Sequence, residues 1–165
     1  MIRSIVWTVI FGTAAGILQS TVLDYIPFLK VKPDLVLCIV VFSAYVNGTM
    51  TGQVSGFFTG LLLDFFSAAP LGMHTFIKTV TGALAGIFKG ALFLDLFFMP
   101  VILCTLATIV QALLRLVLNL VVGASVPIYS FTSSVFWIEL GLNALCAPFL
   151  FLLLKNFKPI IAGRG

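Results

Sequence analysis

The chain has 165 residues, of which 61% are hydrophobic and 8% charged, and its formal net charge is +4. A charged share about a third of the usual ~25% leaves too little polar surface to enclose that much apolar area in water, which excludes a soluble globular fold. The positive charge is too small and too scattered for a nucleic-acid surface. Seventeen Phe against two Trp and three Tyr fit rings that meet acyl chains more than headgroups.

A membrane-crossing helix needs about 20 apolar residues. Breaks at 27–33, 47–48, 67–72, 94–100 and 123–133 leave six candidate spans, near 4–25, 34–47, 49–66, 72–92, 99–122 and 134–155. The expected fold is an all-α integral membrane protein, a single transmembrane domain over 1–165 built as a compact six-helix bundle, with five spans as the fallback count. The first apolar run reaches about Leu23, long for a signal-peptide core and without a small-x-small cleavage site, so it is expected to stay as a span. It carries Thr8, Gly12, Gly16 and Ser20 at four-residue spacing. The second span is short: fourteen residues cover roughly 21 Å. It is therefore expected to be tilted against partners, re-entrant, or continuous with a buried turn at Asn47–Gly48.

The third span, NGTMTGQVSGFFTGLLLDFF, places Gly48, Gly52, Gly56, Gly60 and Asp64 at every fourth position. On a helix these share one slowly winding face, a groove almost without side chains that ends in a charge. The fourth span continues the theme with Lys78, Gly82, Gly86 and Gly90. Such stripes let backbones approach closely, and the groove is open to a helix of the same chain, of a second copy in a homodimer, or of a partner.

Charged residues inside a span cost at least about 2.5 kcal/mol each and call for partners. Lys78 lies about six residues into the fourth span and Asp64 about two from the end of the third, depths of roughly 9 Å and 3 Å. A snorkelling lysine closes that gap, which makes Asp64–Lys78 the first expected ion pair. Gln111, Arg115 and Asn119 form a polar ridge on the fifth span, facing Glu139 and Asn143 on the sixth. Measured from the connecting loop, Arg115 and Glu139 lie at roughly 12 Å and 8 Å, nearly level in an antiparallel hairpin. Arg115–Glu139 is the second expected pair, read as a staple because no chain of further carboxylates marks a proton relay.

His74, the only histidine, reads as a polar residue at the mouth of the fourth span. Cys38, Cys104 and Cys146 sit in separate apolar runs without metal-ligand spacing and read as small buried hydrophobes. No motif of a zinc protease, serine hydrolase, P-loop or dinucleotide site occurs, so neither an enzyme nor a cofactor or metal site is expected. An even number of spans puts both termini on one side. Arg3, Lys89, Lys155, Lys158 and Arg164 outnumber Lys30 and Lys32 opposite them, marking that side as cytoplasmic.

The second-span entry PDLVLCIVVFSAY, Pro33 to Tyr45, followed by GQVSGFFTGLLLDFFSAAPLGMHTF, Gly52 to Phe76, resembles the MreD family of bacterial rod shape-determining membrane proteins. Pro33, Asp34, Gly56, Gly60, Asp64, Pro70, Leu71 and Gly72 match the family pattern. Arg115 and Glu139 lie outside it and rest on membrane energetics alone. The resemblance implies a noncatalytic inner-membrane partner of the cell-elongation machinery. Its direct partner would be MreC, a protein with one anchor helix and a periplasmic coiled coil, linked to the SEDS glycosyltransferase, its penicillin-binding transpeptidase and MreB filaments. It also implies an architecture similar to the S components of energy-coupling-factor vitamin transporters. Two functions follow: an interaction subunit whose glycine grooves receive a helix, foremost that of MreC, or a small-molecule binding subunit. The latter would need a cavity between the loop around Asp24 to Lys32 and the SAAPLG connection.

Overall fold

The computed structural model describes residues 1–21, 31–67, 69–90, 97–123 and 133–157. They form six helices in chain order: α1 (Ile2–Thr21), α2 (Leu35–Asn47), α3 (Thr49–Phe66), α4 (Met73–Ile87), α5 (Phe98–Val122) and α6 (Ser134–Asn156). Each expected span holds one helix. The fourth differs most, stopping at Ile87 and passing through a turn to Gly90, where the sequence reading carried it to 92. The loop residues Asp24 and Lys30, most of the GASVPIYSFTS connection and the basic tail with Lys158 and Arg164 lie outside the described residues.

Helices α1, α5 and α6 are long and apolar enough to cross a membrane, and α2 is shorter but apolar. The short α2 has a physical explanation in its position. Every residue from Val36 to Ala44 is buried, and α2 packs against each of the other five helices. A helix that is hydrophobic all round belongs inside protein, and a central helix need not match the thickness of lipid. Leu37, Phe42, Leu103, Ala147 and Phe151 are part of the apolar core around it, with the Phe42 and Phe151 rings edge to face at 5.1 Å.

Gly48 alone joins α2 to α3. Its φ of 99° is a backbone setting that glycine adopts without the clash a Cβ would bring. The freed C-terminal carbonyl of Asn47 accepts a 2.9 Å hydrogen bond from Lys89 Nζ, just beyond α4, a favourable place for a cation.

Helices α3 and α4 make the most extensive helix pair of the bundle. A Cβ on Gly52 would overlap the carbonyl of Gly82, and one on Gly82 would overlap the carbonyl of Gly52. Gly56 lies against the carbonyl of Lys78, Gly60 against the backbone of His74 and Thr75, and Gly86 against the backbone of Thr49. The first stripe is also filled: Cβ atoms on Gly12 and Gly16 would stand 2.6 Å from Thr59 Cγ2 and 2.9 Å from Leu63 Cδ2. The stripes of α3 and α4 therefore pack on each other, and the glycines of α1 on side chains of α3, within one chain. That corrects the expectation of a partner groove at Gly52, Gly56 and Gly60, because the surface the glycines expose is already covered by backbone.

Candidate functional site: a polar hub beneath a charged cavity

Asp34 precedes α2 as its N-cap, and its Oδ1 accepts from the Leu37 N–H at 2.9 Å. That satisfies one of the donors every helix start leaves open. Its Oδ2 is ion-paired with Lys78 Nζ of α4 and accepts from Gln111 Nε2 of α5 at 3.1 Å. Lys78 Nζ also donates to Gln111 Oε1 at 3.1 Å. The Asp34 backbone N–H donates to Asn143 Oδ1 of α6 at 2.7 Å, and Asn143 Nδ2 donates to Thr108 Oγ1 of α5 at 3.0 Å. Through its carboxylate and its backbone N–H, Asp34 thus ties four helices together. The side chain of Lys78 is 1% exposed, so every donor and acceptor here is drawn from the protein, as a buried ionic group requires.

Asp64 serves a different helix. Its carboxylate accepts the backbone N–H groups of Gly72, His74 and Thr75 at 3.0, 2.8 and 3.1 Å, and the Thr75 hydroxyl as well. It closes the N-terminus of α4, where the helix dipole favours an anion. The expected Asp64–Lys78 pair is therefore corrected: Lys78 is held by Asp34. Gly60 sits against His74 and Thr75, so Asp64, one turn further, meets the start of α4. Lys78, more than a turn into that helix, meets α2 and α5 instead.

The family-pattern residues Pro70, Leu71 and Gly72 build the turn that presents those amides. Met73 N–H donates to the Pro70 carbonyl at 3.1 Å, and Gly72 takes a left-handed φ of 92°. Leu71 points outward, 77% exposed.

Beside the hub, at the end of the bundle opposite the N-terminus, lies a cavity of about 480 Å³. Gly16 and Gln19 of α1, Lys32 and Asp34, Leu63 of α3, His74 and Lys78 of α4, Arg115 of α5 and Glu139 of α6 are among its walls. Among the described residues, six titratable side chains gather there: Lys32 and Asp34 from the stretch before α2, His74 and Lys78 from α4, Arg115 from α5 and Glu139 from α6. Arg115 and Glu139, both buried, face this cavity together. The rest of the ridge divides: Gln111 and Asn143 join the hub, and Asn119 Nδ2 donates to the Gly123 carbonyl at 3.3 Å at the end of α5.

Two features escaped sequence reasoning. Asp34 enters there only as a family-pattern residue, yet a Pro-Asp pair just before an apolar run is a helix-start signal that supplies a carboxylate at the mouth of α2. Cys38 and Cys104, on different helices, bring their Sγ atoms to 3.5 Å, a proximity that spacing along the chain does not encode.

Long apolar helices, side-chain-free helix contacts and a buried ionic hub together define a polytopic helical membrane protein. The sequence model of the rod shape-determining protein MreD matches residues 1–157. The chain belongs to the MreD family, the rod-shape-determining membrane proteins. Comparison with curated proteins and with solved structures finds no match.

Proposed function

We propose that the protein is a noncatalytic subunit of the rod complex in the bacterial inner membrane, with six spans and both termini cytoplasmic, and that it binds MreC and helps position peptidoglycan synthesis. The family match over residues 1–157 carries this reading. The glycine stripes lock α1, α3 and α4 into one body, which suits a scaffold and leaves no small-residue groove on those faces for a foreign helix. Recognition then falls to the end of the bundle that holds the cavity, which faces the periplasm under this topology and adjoins the membrane-proximal part of MreC. The glycosyltransferase, the transpeptidase and MreB are reached through MreC.

Detergent co-purification with tagged MreC tests the reading. Wild-type protein retains MreC, and charge reversal at the cavity rim, Lys32→Glu, lowers recovery while the outward-facing Leu120→Ala does not. Absence of MreC from the wild-type preparation contradicts the reading, and undiminished recovery with folded Lys32→Glu contradicts the proposed docking end.

The second reading, a small-molecule binding subunit of the vitamin-transporter type, is favoured by one observation, the cavity itself with charged side chains in its wall. Mass spectrometry of a small molecule retained through purification supports it, and a protein that emerges free of any such molecule counts against it.

A further inference from the structure

Cys38 of α2 and Cys104 of α5 are both free and fully buried, with their Sγ atoms 3.5 Å apart. The hub holds the two helices in register at this level. Asp34, one turn before Cys38 on α2, accepts from Gln111 of α5. Thr108, one turn beyond Cys104 on α5, donates its hydroxyl to the Cys104 carbonyl at 2.8 Å and accepts from Asn143 of α6. An S–S bond is about 2.05 Å long, so closing one here takes roughly 1.5 Å of approach, which side-chain rotation and a small helix shift supply.

A second observation concerns access. Between α4 and α5 lies a groove of about 40 Å³ whose wall includes Leu103 and Ala107, neighbours of Cys104 on the same face of α5. It has room for one water-sized molecule. Leu84 and Leu106, also in the wall, are exposed on the outside of the bundle, so the groove opens towards lipid. Thr81 shares that wall, and its hydroxyl oxygen is buried without a hydrogen-bond partner. A buried hydroxyl of this kind suits a small molecule that can both donate and accept.

We infer that Cys38 and Cys104 are a modification site: a small uncharged hydroperoxide, entering from the apolar phase past Thr81, oxidises them to a disulfide that joins α2 to α5. One sulfur attacks the peroxide and the O–O bond breaks, giving a sulfenic acid and an alcohol or water, with the thiol proton on the departing oxygen. The other sulfur attacks the sulfenic sulfur, and its proton leaves with the sulfenic hydroxyl as water. The two sulfurs supply the two electrons that the broken O–O bond takes up. Water-borne thiol reductants do not reach the interior of the bundle, so the bond persists once formed. The inference needs neither MreC nor a bound ligand.

The test exposes the full chain in phosphatidylcholine nanodiscs to hydrogen peroxide, denatures it, blocks the remaining thiols with N-ethylmaleimide and maps the peptides without reduction. A link between the Cys38 and Cys104 peptides is expected, with Cys146, partly exposed on α6, recovered outside it. Cys146→Ser keeps the link and Cys104→Ser abolishes it. Thr81→Val slows its formation at least about threefold, through loss of one hydrogen bond to the entering peroxide. The linked protein melts at least about 5 °C higher than the reduced one, because the bond closes a long loop. Should Cys104→Ser fail to fold, the wild-type peptide map and the Thr81→Val rate carry the comparison. The inference is overturned by intact Cys38 and Cys104 thiols in peroxide-treated wild type, by their separate oxidation to sulfinic acids, or by links that run through Cys146. Equal rates in wild type and folded Thr81→Val overturn the groove as the route of entry, and an unchanged melting point overturns the joining of α2 to α5.

Discussion

The α3–α4 interface and the polar end around Asp34 hold the bundle together by opposite means. Between α3 and α4, Gly52, Gly56, Gly60, Gly82 and Gly86 remove side chains until backbone touches backbone; packing supplies the cohesion that apolar solvent withholds. Around Asp34, Lys78 from α4 and Gln111 from α5 reach inward to one carboxylate, and Asn143 from α6 accepts from the Asp34 backbone N–H, with the cavity alongside. The first region is rigid because nothing can move into it. The second is specific because each partner has a fixed place, and the cavity beside it leaves space for another molecule. Under the proposed function, recognition is confined to one end while the remaining contacts set the shape.

Variants that damage one region and spare the other separate these roles. Gly56→Leu has the largest expected effect. Its side chain meets the immovable backbone of Lys78, so the variant loses at least about 3 kcal/mol and the monodisperse peak on size-exclusion chromatography. A normal elution profile and melting curve would show that α3 and α4 are not in backbone contact. Asp64→Ala comes next, at about 2 kcal/mol, because an N-cap with several accepted hydrogen bonds is lost. Hydrogen exchange should rise first at Gly72 to Thr75, and protection there equal to wild type would remove Asp64 from the cap.

Gly48→Ala forces a Cβ into a positive φ and should cost about 1 kcal/mol, read as a lowered unfolding midpoint. Smallest is Ser43→Ala. It deletes the 2.7 Å contact between the Ser43 and Thr8 hydroxyls that links α2 to α1, for which about 0.6 kcal/mol is typical in a membrane.

Helix number and bounds were legible because apolar runs and Pro or Gly breaks act along the chain. The α3 and α4 stripes were legible as contact surfaces for the same reason, four-residue spacing being a local property. Their occupants were not, since packing within a chain, between copies and against a partner all use the same residues. Asp64 was placed at a helix end, yet its role as a cap on α4 depends on how α3 and α4 cross, which depth along each helix does not specify. The Lys78 partner was misassigned on the same ground: a lysine stem can bridge the difference in depth to Asp64 as to Asp34, and only the position of central α2 decides between them. The cavity was anticipated as a place near the SAAPLG turn but not as a charged one, because its residues come from all six helices and from the stretch just before α2.

The central claim is that Asp34 and Lys78 neutralise each other in the interior and thereby hold α2 against α4. A double-mutant cycle with Asp34→Asn and Lys78→Gln, following reversible unfolding in detergent, tests it most directly. Either single change leaves an unpaired buried charge and should lose about 3 to 5 kcal/mol, whereas the double change should recover much of that loss, giving a coupling of at least about 2 kcal/mol. Single losses that simply add, within about 0.5 kcal/mol, would contradict the account.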